Sequence, residues 1–142
     1  MPFVRKDEKD KTVITCEGVS VNDAFIDAGH GLFDVIAHNN KIRGDVRQEI
    51  VVQADDMEGL FKGWVQELMS RVSDMGMVYA DFEVFSVQKV GAHSMVLTGA
   101  VYGESIDERR HSLNTKARLD DVRAKCDEKT GAISCSFSFS LV

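Results

Sequence analysis

Two carboxylates and an imidazole occur close together in the second half of the sequence. Glu104, Asp107 and His111 follow the end of a predicted strand and share one short segment. Side chains of these types at such close spacing can bind a divalent cation or transfer a proton. The same pattern also fits a solvated turn held by Arg109 and Arg110. Glu104, Asp107 and His111 are therefore the candidate site, and both interpretations remain open.

A second group of carboxylates precedes the most regular helical pattern. Asp55, Asp56 and Glu58 would lie together at a helix N-terminus, where they could collect a cation. The attraction of acidic groups to the positive end of a helix dipole already explains them without a ligand. Three other histidines have no partner at ligand spacing, and we expect them to be structural or exposed: His30, His38 and His93.

Motifs of the common enzyme classes are missing from the sequence. There is no P-loop, HExxH, GxSxG or GxGxxG, and no cluster of cysteine and histidine ligands. No nucleophile has an adjacent base, so a metal-assisted hydrolase that uses Glu104, Asp107 and His111 is the least favoured hypothesis. The residues alone therefore disfavour an enzyme.

Composition excludes several classes of protein. The 142 residues suit one domain, and 44% apolar residues with a single proline are typical of a chain that folds. A net charge of -6 gives no overall attraction to nucleic acid or to anionic membrane. Any nucleic-acid role would be indirect or carried by a local patch.

Three features of the sequence bear on location and binding. No run of apolar residues is long enough for a membrane span, and the charged N-terminus is unlike a signal peptide. Cys16, Cys126 and Cys135 form no CxxC and are expected to be small core residues in a reducing compartment. The aromatic stretch 79–85 contains no lysine or arginine, which favours a core or interface strand over an RNA-stacking platform. We therefore expect a cytoplasmic protein with no membrane partner and no direct nucleic-acid binding.

The first part of the chain predicts a leader, a strand and a helix. Residues 1–11 are mostly charged and are expected to form a flexible leader, with residues 12–142 as a single domain. A short strand at 13–16 precedes a helix capped by Ser20 that ends before Asn39. Gly29 and Gly31 lie inside that helix, so we expect either close packing of its backbone or a break at Gly29.

The rest of the chain predicts one further helix and several strands. Residues 49–54 form a buried strand, and a helix with an unbroken apolar stripe begins at Asp55 or Asp56 and ends at Gly76. From there the period changes to two, which predicts a hairpin from residues 82–87 and 95–102 and a closing hairpin with one wet face. The closing hairpin joins 117–126 to 134–141 through a turn at 127–131. The expected fold class is α+β, with two amphipathic helices packed on a mixed, mostly antiparallel β-sheet.

The order of these motifs resembles the archease family over residues 18–111, about two thirds of the chain. The resemblance is carried by SVNDAF at 20–25, GLFDVI at 31–36, ADDMEGL at 54–60, WVQEL at 64–68, FEV at 82–84 and YGE at 102–104, followed by Asp107 and His111.

The resemblance implies a compact α+β protein cofactor of an RtcB-type RNA ligase, the enzyme that joins tRNA halves and repairs cleaved RNA. Such a cofactor promotes guanylylation and repeated turnover of the ligase and is not itself the ligase. The resemblance also implies that Glu104, Asp107 and His111 contribute to binding the partner.

The family's acidic metal site is altered in this sequence. That site uses the aspartate of an N-terminal His-Thr-Ala-Asp motif and a carboxylate in a C-terminal Asp-Ile sequence. Here these positions are Lys11, with Asp10 beside it, and Leu141, while Glu8 and Lys9 replace the histidine and threonine. An ammonium group repels a cation and an alkyl group offers no oxygen ligand, so we expect a weak or absent site for Ca²⁺ or Mg²⁺ and assign no metal ligand.

Two questions about this altered end stay open. The sequence does not decide whether Asp10 takes over as a ligand. The alternative function is a binding or assembly module that kept the fold and lost ligase activation. The family's Lys-Ala-Ile-Thr-Tyr-His-like strand is also replaced, by KARLDDV at 116–122.

Overall fold

The computed structural model describes residues 3–9, 11–18, 20–37, 41–107, 109, 111, 113, 118–126 and 133–140. The elements in chain order are β1 (Phe3–Glu8), β2 (Lys11–Gly18), α1 (Val21–Ile36), β3 (Val46–Ala54), α2 (Met57–Met75), β4 (Met77–Lys89), β5 (Met95–Ser105), β6 (Arg118–Cys126) and β7 (Ile133–Ser140). The α+β class is confirmed.

Both helices begin at the predicted caps. The Ser20 hydroxyl accepts a hydrogen bond from the Asp23 N–H at 3.2 Å, and the Asp56 carboxylate accepts one from the Gly59 N–H at 2.7 Å. Gly76 ends α2 in the left-handed conformation, with φ of 63°. The local signals in the sequence therefore predict the starts of both helices and the end of α2.

The strands form two sheets rather than one mixed sheet. One has the order β1-β2-β7-β6 and the other the order β3-β5-β4, and each neighbouring pair is antiparallel. Both predicted hairpins, β4–β5 and β6–β7, are present. The predicted turn at 127–131 lies outside the described residues.

The two helices form a layer between the sheets. Helix α1 packs on β4 and β2, whereas α2 packs on β3 and β6. A Cβ atom at Gly29 would lie 2.9 Å from the Phe82 ring, and one at Gly31 would lie 2.6 Å from Ile14 Cγ2. Because Phe82 and Ile14 belong to different sheets, these glycines let α1 approach both. The helix continues through Gly29 without a break, which confirms the expected close packing.

The predicted flexible leader is wrong for residues 3–8, which form the edge strand β1. Its Arg5 side chain turns inward and donates to the Asp34 carbonyl at 2.8 Å and to Asp34 Oδ2 at 3.0 Å on α1. The Thr12 hydroxyl donates to Asp7 Oδ1 at 2.9 Å, which ties β1 to β2. The charged sequence of residues 1–11 did not predict this strand. The inward-facing Arg5 is compatible with a strand only because Asp34, on a helix later in the chain, accepts its hydrogen bonds.

The four-stranded sheet has an apolar inner face and a polar outer face. Ile14 and Phe137 are buried against the helices. Cys16 and Cys135 face each other in register, and both are buried free thiols. Hydrogen bonding to Cys135, together with burial, raises the pKa of the Cys16 thiol. The wet face of β7 is partial, since Ser138 is buried. Among the described residues, no helix is both long and apolar enough to cross a membrane.

Candidate functional site

Glu104 and His111 are brought together by the end of β5 and the turn that follows it. Glu104 lies opposite Val78 of β4, and the Ile106 N–H donates to the Gly76 carbonyl at 2.7 Å. The His111 N–H then donates to the Asp107 carbonyl at 2.7 Å, which closes the turn. The chain therefore returns toward the strand that it has just left.

The His111 ring is held in one orientation and is fully buried. Its Nδ1 accepts a hydrogen bond from the Asp107 N–H at 2.9 Å, so the proton of the neutral ring is on Nε2. Nε2 lies 3.6 Å from Glu104 Oε2, and the His111 and Glu104 side chains are 0% and 12% exposed. Glu104 also accepts a hydrogen bond from the Arg43 N–H. Glu104 thus ties the segment 41–45 to the end of β5, and His111 holds the turn through its hydrogen bond with the Asp107 N–H.

Asp107 is exposed and holds the same turn from outside. Its carboxylate accepts a hydrogen bond from the Arg109 N–H at 3.0 Å. Arg109 thus stabilises the turn through its backbone, and Arg110 lies outside the described residues. Among the residues that the structure describes, no group of three or more histidine, cysteine, aspartate or glutamate side chains could hold a metal ion. The His111 ring is buried, so a substrate in solution could not reach it.

The other predicted candidates are structural or exposed. Asp56 is the N-cap of α2, and Glu58 lies in its first turn. The His30 ring packs edge-on against Phe82, with centroids 5.1 Å apart. His93 is exposed, and His38 lies outside the described residues.

Comparison with known proteins identifies the family of this chain. The profile of the Archease protein family (MTH1598/TM1083) matches residues 11–118. The chain belongs to the archease family. It is 35% identical to the archease of Pyrococcus furiosus over 94 residues, which cover 66% of this chain and 65% of that protein. The archease of Pyrococcus abyssi is 33% identical over 94 residues, with the same shares of both chains covered. The chain thus spans slightly less than two thirds of these archeases.

A solved structure supports the same fold. The solution structure of Methanobacterium thermoautotrophicum protein 1598 superimposes with a TM-score of 0.75 and covers 98% of both chains at 17% identity. At this identity the likeness concerns the fold alone. The described strands after residue 118, where the family match ends, therefore follow the same architecture.

The end of the four-stranded sheet that would carry an archease metal site is cationic here. Lys11 begins β2 and is exposed, and its neighbours across the sheet are Glu8 on one side and Ser140 and then Arg118 on the other. Glu8 is the one carboxylate in this row and lies beside an ammonium group. These residues do not fit a divalent cation, which needs several oxygen ligands. Asp10 and Leu141 lie outside the described residues.

An exposed cluster on the other sheet was not predicted from the sequence. The Arg47 guanidinium lies 5.9 Å from the centre of the Phe85 ring. The Tyr102 hydroxyl donates to the Glu83 carboxylate, and hydrogen bonding with Tyr102 raises the pKa of Arg47. Three strands contribute to this cluster, so only their register reveals it.

The aromatic stretch 79–85 is divided between the two faces of its strand. Tyr79 and Phe82 are buried, whereas Phe85 is 51% exposed. Strand alternation separates Phe82 from Phe85, and a register shift between Val84 and Ser86 adds to the change. That alternation is the signal in the sequence that could have shown Phe85 to be exposed.

Proposed function

We propose that this archease-type protein is an accessory protein of an RtcB-type RNA ligase and promotes guanylylation and repeated turnover of that enzyme. The observation that carries the proposal is the family match over residues 11–118. The buried Glu104–His111 pair supports a non-catalytic role, because the ring that would act as acid or base is inaccessible.

The predicted site residues then divide into two roles. Asp107 is exposed at the tip of the turn and would contact the partner protein. Glu104 and His111 would act as positioning residues, since they fix the turn from below. We place this action in the cytoplasm, consistent with the two buried free thiols.

Two measurements test the proposal. The tagged chain, purified from its own cells, should carry the RtcB-type ligase with it. Labelling of the purified ligase with radioactive GTP should proceed faster when the chain is present. Absence of the ligase from the purified material together with an unchanged labelling rate would contradict the proposal.

A second candidate function is a binding or assembly module that no longer activates a ligase. The cationic row formed by Lys11 and Arg118 favours it, because an archease that relies on a bound metal would need oxygen ligands there. This candidate predicts that the chain binds the ligase without changing its rate of guanylylation. The labelling experiment therefore distinguishes the two.

A further inference from the structure

No described helix or strand packs on the outer face of the sheet β3-β5-β4, although the segment 41–45 and the turn after β5 cover its end at Glu104. Both helices cover its inner face, where Ile50 and Val101 are buried. On the outer face, Val51 and Phe85 are 65% and 51% exposed. We call this surface the three-stranded face, and its defining residues are Arg47, Glu49, Val51, Asp81, Glu83, Phe85 and Tyr102.

Side chains at the centre of the three-stranded face contact one another. Arg47 lies opposite Tyr102 in register, and its guanidinium approaches Glu49 Oε1 at 3.6 Å and the Phe85 ring at 5.9 Å. Arginine and aromatic side chains dominate the binding energy of protein interfaces. Their mutual contacts also reduce the side-chain entropy that is lost on binding.

The charge of this face is acidic. At the outward positions of the three strands, Arg47 is the one cation, against Glu49 on β3 and Asp81 and Glu83 on β4. Asp81 Oδ1 also lies 3.9 Å from His30 Nε2 on α1. A cleft of about 480 Å³ opens among them, lined by Ile42, Gly44, Ala80, Asp81, Phe82, Glu83 and Tyr102. Two carboxylates and a phenol ring at one cleft suit a guanidinium or ammonium group.

We propose that the three-stranded face is the docking surface for a basic surface of a partner protein, with an arginine or lysine side chain seated in the cleft beside Asp81, Glu83 and Tyr102. The inference rests on the proposed function, because an enzyme that binds RNA presents cations around its substrate. The acidic face complements those cations and favours fast, correctly oriented encounter.

Two other occupants are disfavoured by the same charges. Phosphate groups of RNA would be repelled by Asp81 and Glu83. A second copy of the chain that met the first through the same face would place these carboxylates against each other. The outer face of the four-stranded sheet carries Lys6, Lys11 and Arg118. The remaining self-association to exclude is therefore one in which this cationic face of one copy packs on the three-stranded face of another.

The test compares variants of the two faces in binding to the purified RtcB-type ligase of the same organism. On the three-stranded face, Asp81→Lys with Glu83→Lys reverses charge and Phe85→Ala removes the exposed ring. The matched controls on the four-stranded sheet are Asp121→Lys and Val4→Ala, whose wild-type residues are also exposed. Circular dichroism and amide spectra confirm the fold of each variant, and Phe85→Ala keeps the test valid if charge reversal disturbs the strand.

We expect both variants of the three-stranded face to weaken binding at least tenfold and the controls to bind like wild type. Added NaCl should weaken wild-type binding and have less effect on the charge-reversed variant. Equal binding by all variants would overturn the docking surface and leave the proposed function intact. The proposal would also be overturned, in favour of a second copy as the occupant, if the chain self-associated with increasing concentration and the double variant Asp81→Lys with Glu83→Lys did not.

A second arm separates failure of the docking surface from failure of the proposed function. If wild type does not bind the ligase, the proposed function fails, and the surface is judged with an arginine-glycine repeat peptide in an amide chemical-shift titration. Shifts confined to residues of the three-stranded face would support the surface. Shifts spread over both sheets, or none, would overturn it.

Discussion

The imidazole of His111 illustrates what residue spacing does and does not reveal. Short spacing predicted that Glu104 and His111 would lie close together, and their side chains do meet at 3.6 Å. Their burial was not predictable, because it depends on Gly76 and Arg43, which come from distant parts of the sequence. The exposed cluster of Arg47 and Tyr102 was missed for the same reason.

Removal of the His111 ring should destabilise the fold. In His111→Ala, the Asp107 N–H loses its acceptor and a cavity replaces the ring, so we expect the free energy of unfolding to fall by about 2–4 kcal/mol. Urea denaturation measures this change. His93→Ala, at an exposed position, is the control and should leave stability unchanged within about 0.5 kcal/mol. A fully stable His111→Ala variant would contradict the anchoring role.

The exchange of a carboxylate for Lys11 leads to a prediction about metal ions. Millimolar Ca²⁺, Mg²⁺ or Mn²⁺ should not change the melting temperature, because a ligand stabilises the fold only in proportion to RT ln(1 + [L]/Kd). A filled site at about a hundredfold excess over Kd would add about 2.7 kcal/mol, which thermal unfolding detects easily. An increase of several degrees would contradict the prediction and would direct attention to Asp10 as a ligand.

At the scale of elements, helix α1 was predicted well and strand β1 was not. Ser20 and the recurring apolar residues of α1 are local signals, so the helix was recognisable without tertiary information. The inward position of Arg5 in β1 is explained only by its contact with Asp34, which lies on that helix. Local patterns thus predicted the helices, while the extra strand depended on a distant partner.

The position of α1 between two sheets makes Gly29 sensitive to substitution. Gly29→Ala should gain about 1 kcal/mol of helix propensity and lose more through contact with the Phe82 ring, for a net destabilisation of about 1–2 kcal/mol. Thermal and urea unfolding check this. Gly44→Ala is the matched control, because its Cβ would meet Tyr102 at an ordinary 3.4 Å. A stabilised Gly29→Ala variant would show that α1 has room on this side.

The link between β1 and α1 can be tested by a neighbouring pair of substitutions. Arg5→Ala removes hydrogen bonds to the carbonyl and carboxylate of Asp34, and we expect it to lower stability by about 1–2 kcal/mol. Lys6→Ala, on the exposed side of the same strand, should have little effect. Equal stability of the two variants would mean that β1 adds nothing to the fold, as expected of a leader.

At the scale of the whole molecule, the sequence predicted the α+β class but not the layering. Helical and strand periods identify elements, whereas the division of strands into two sheets depends on which strands pair. Because the helices fill the space between the sheets, each sheet turns one polar face outward. The two outward faces differ in charge, which a net charge of -6 for the whole chain conceals.

The most direct test of the proposed function is the number of RNA molecules joined by each molecule of the RtcB-type ligase. With the chain present, we predict many joined products per ligase molecule. Without it, we predict that joining stops after about one turnover. The same number of products with and without the chain, under conditions in which the ligase itself is active, would contradict the account.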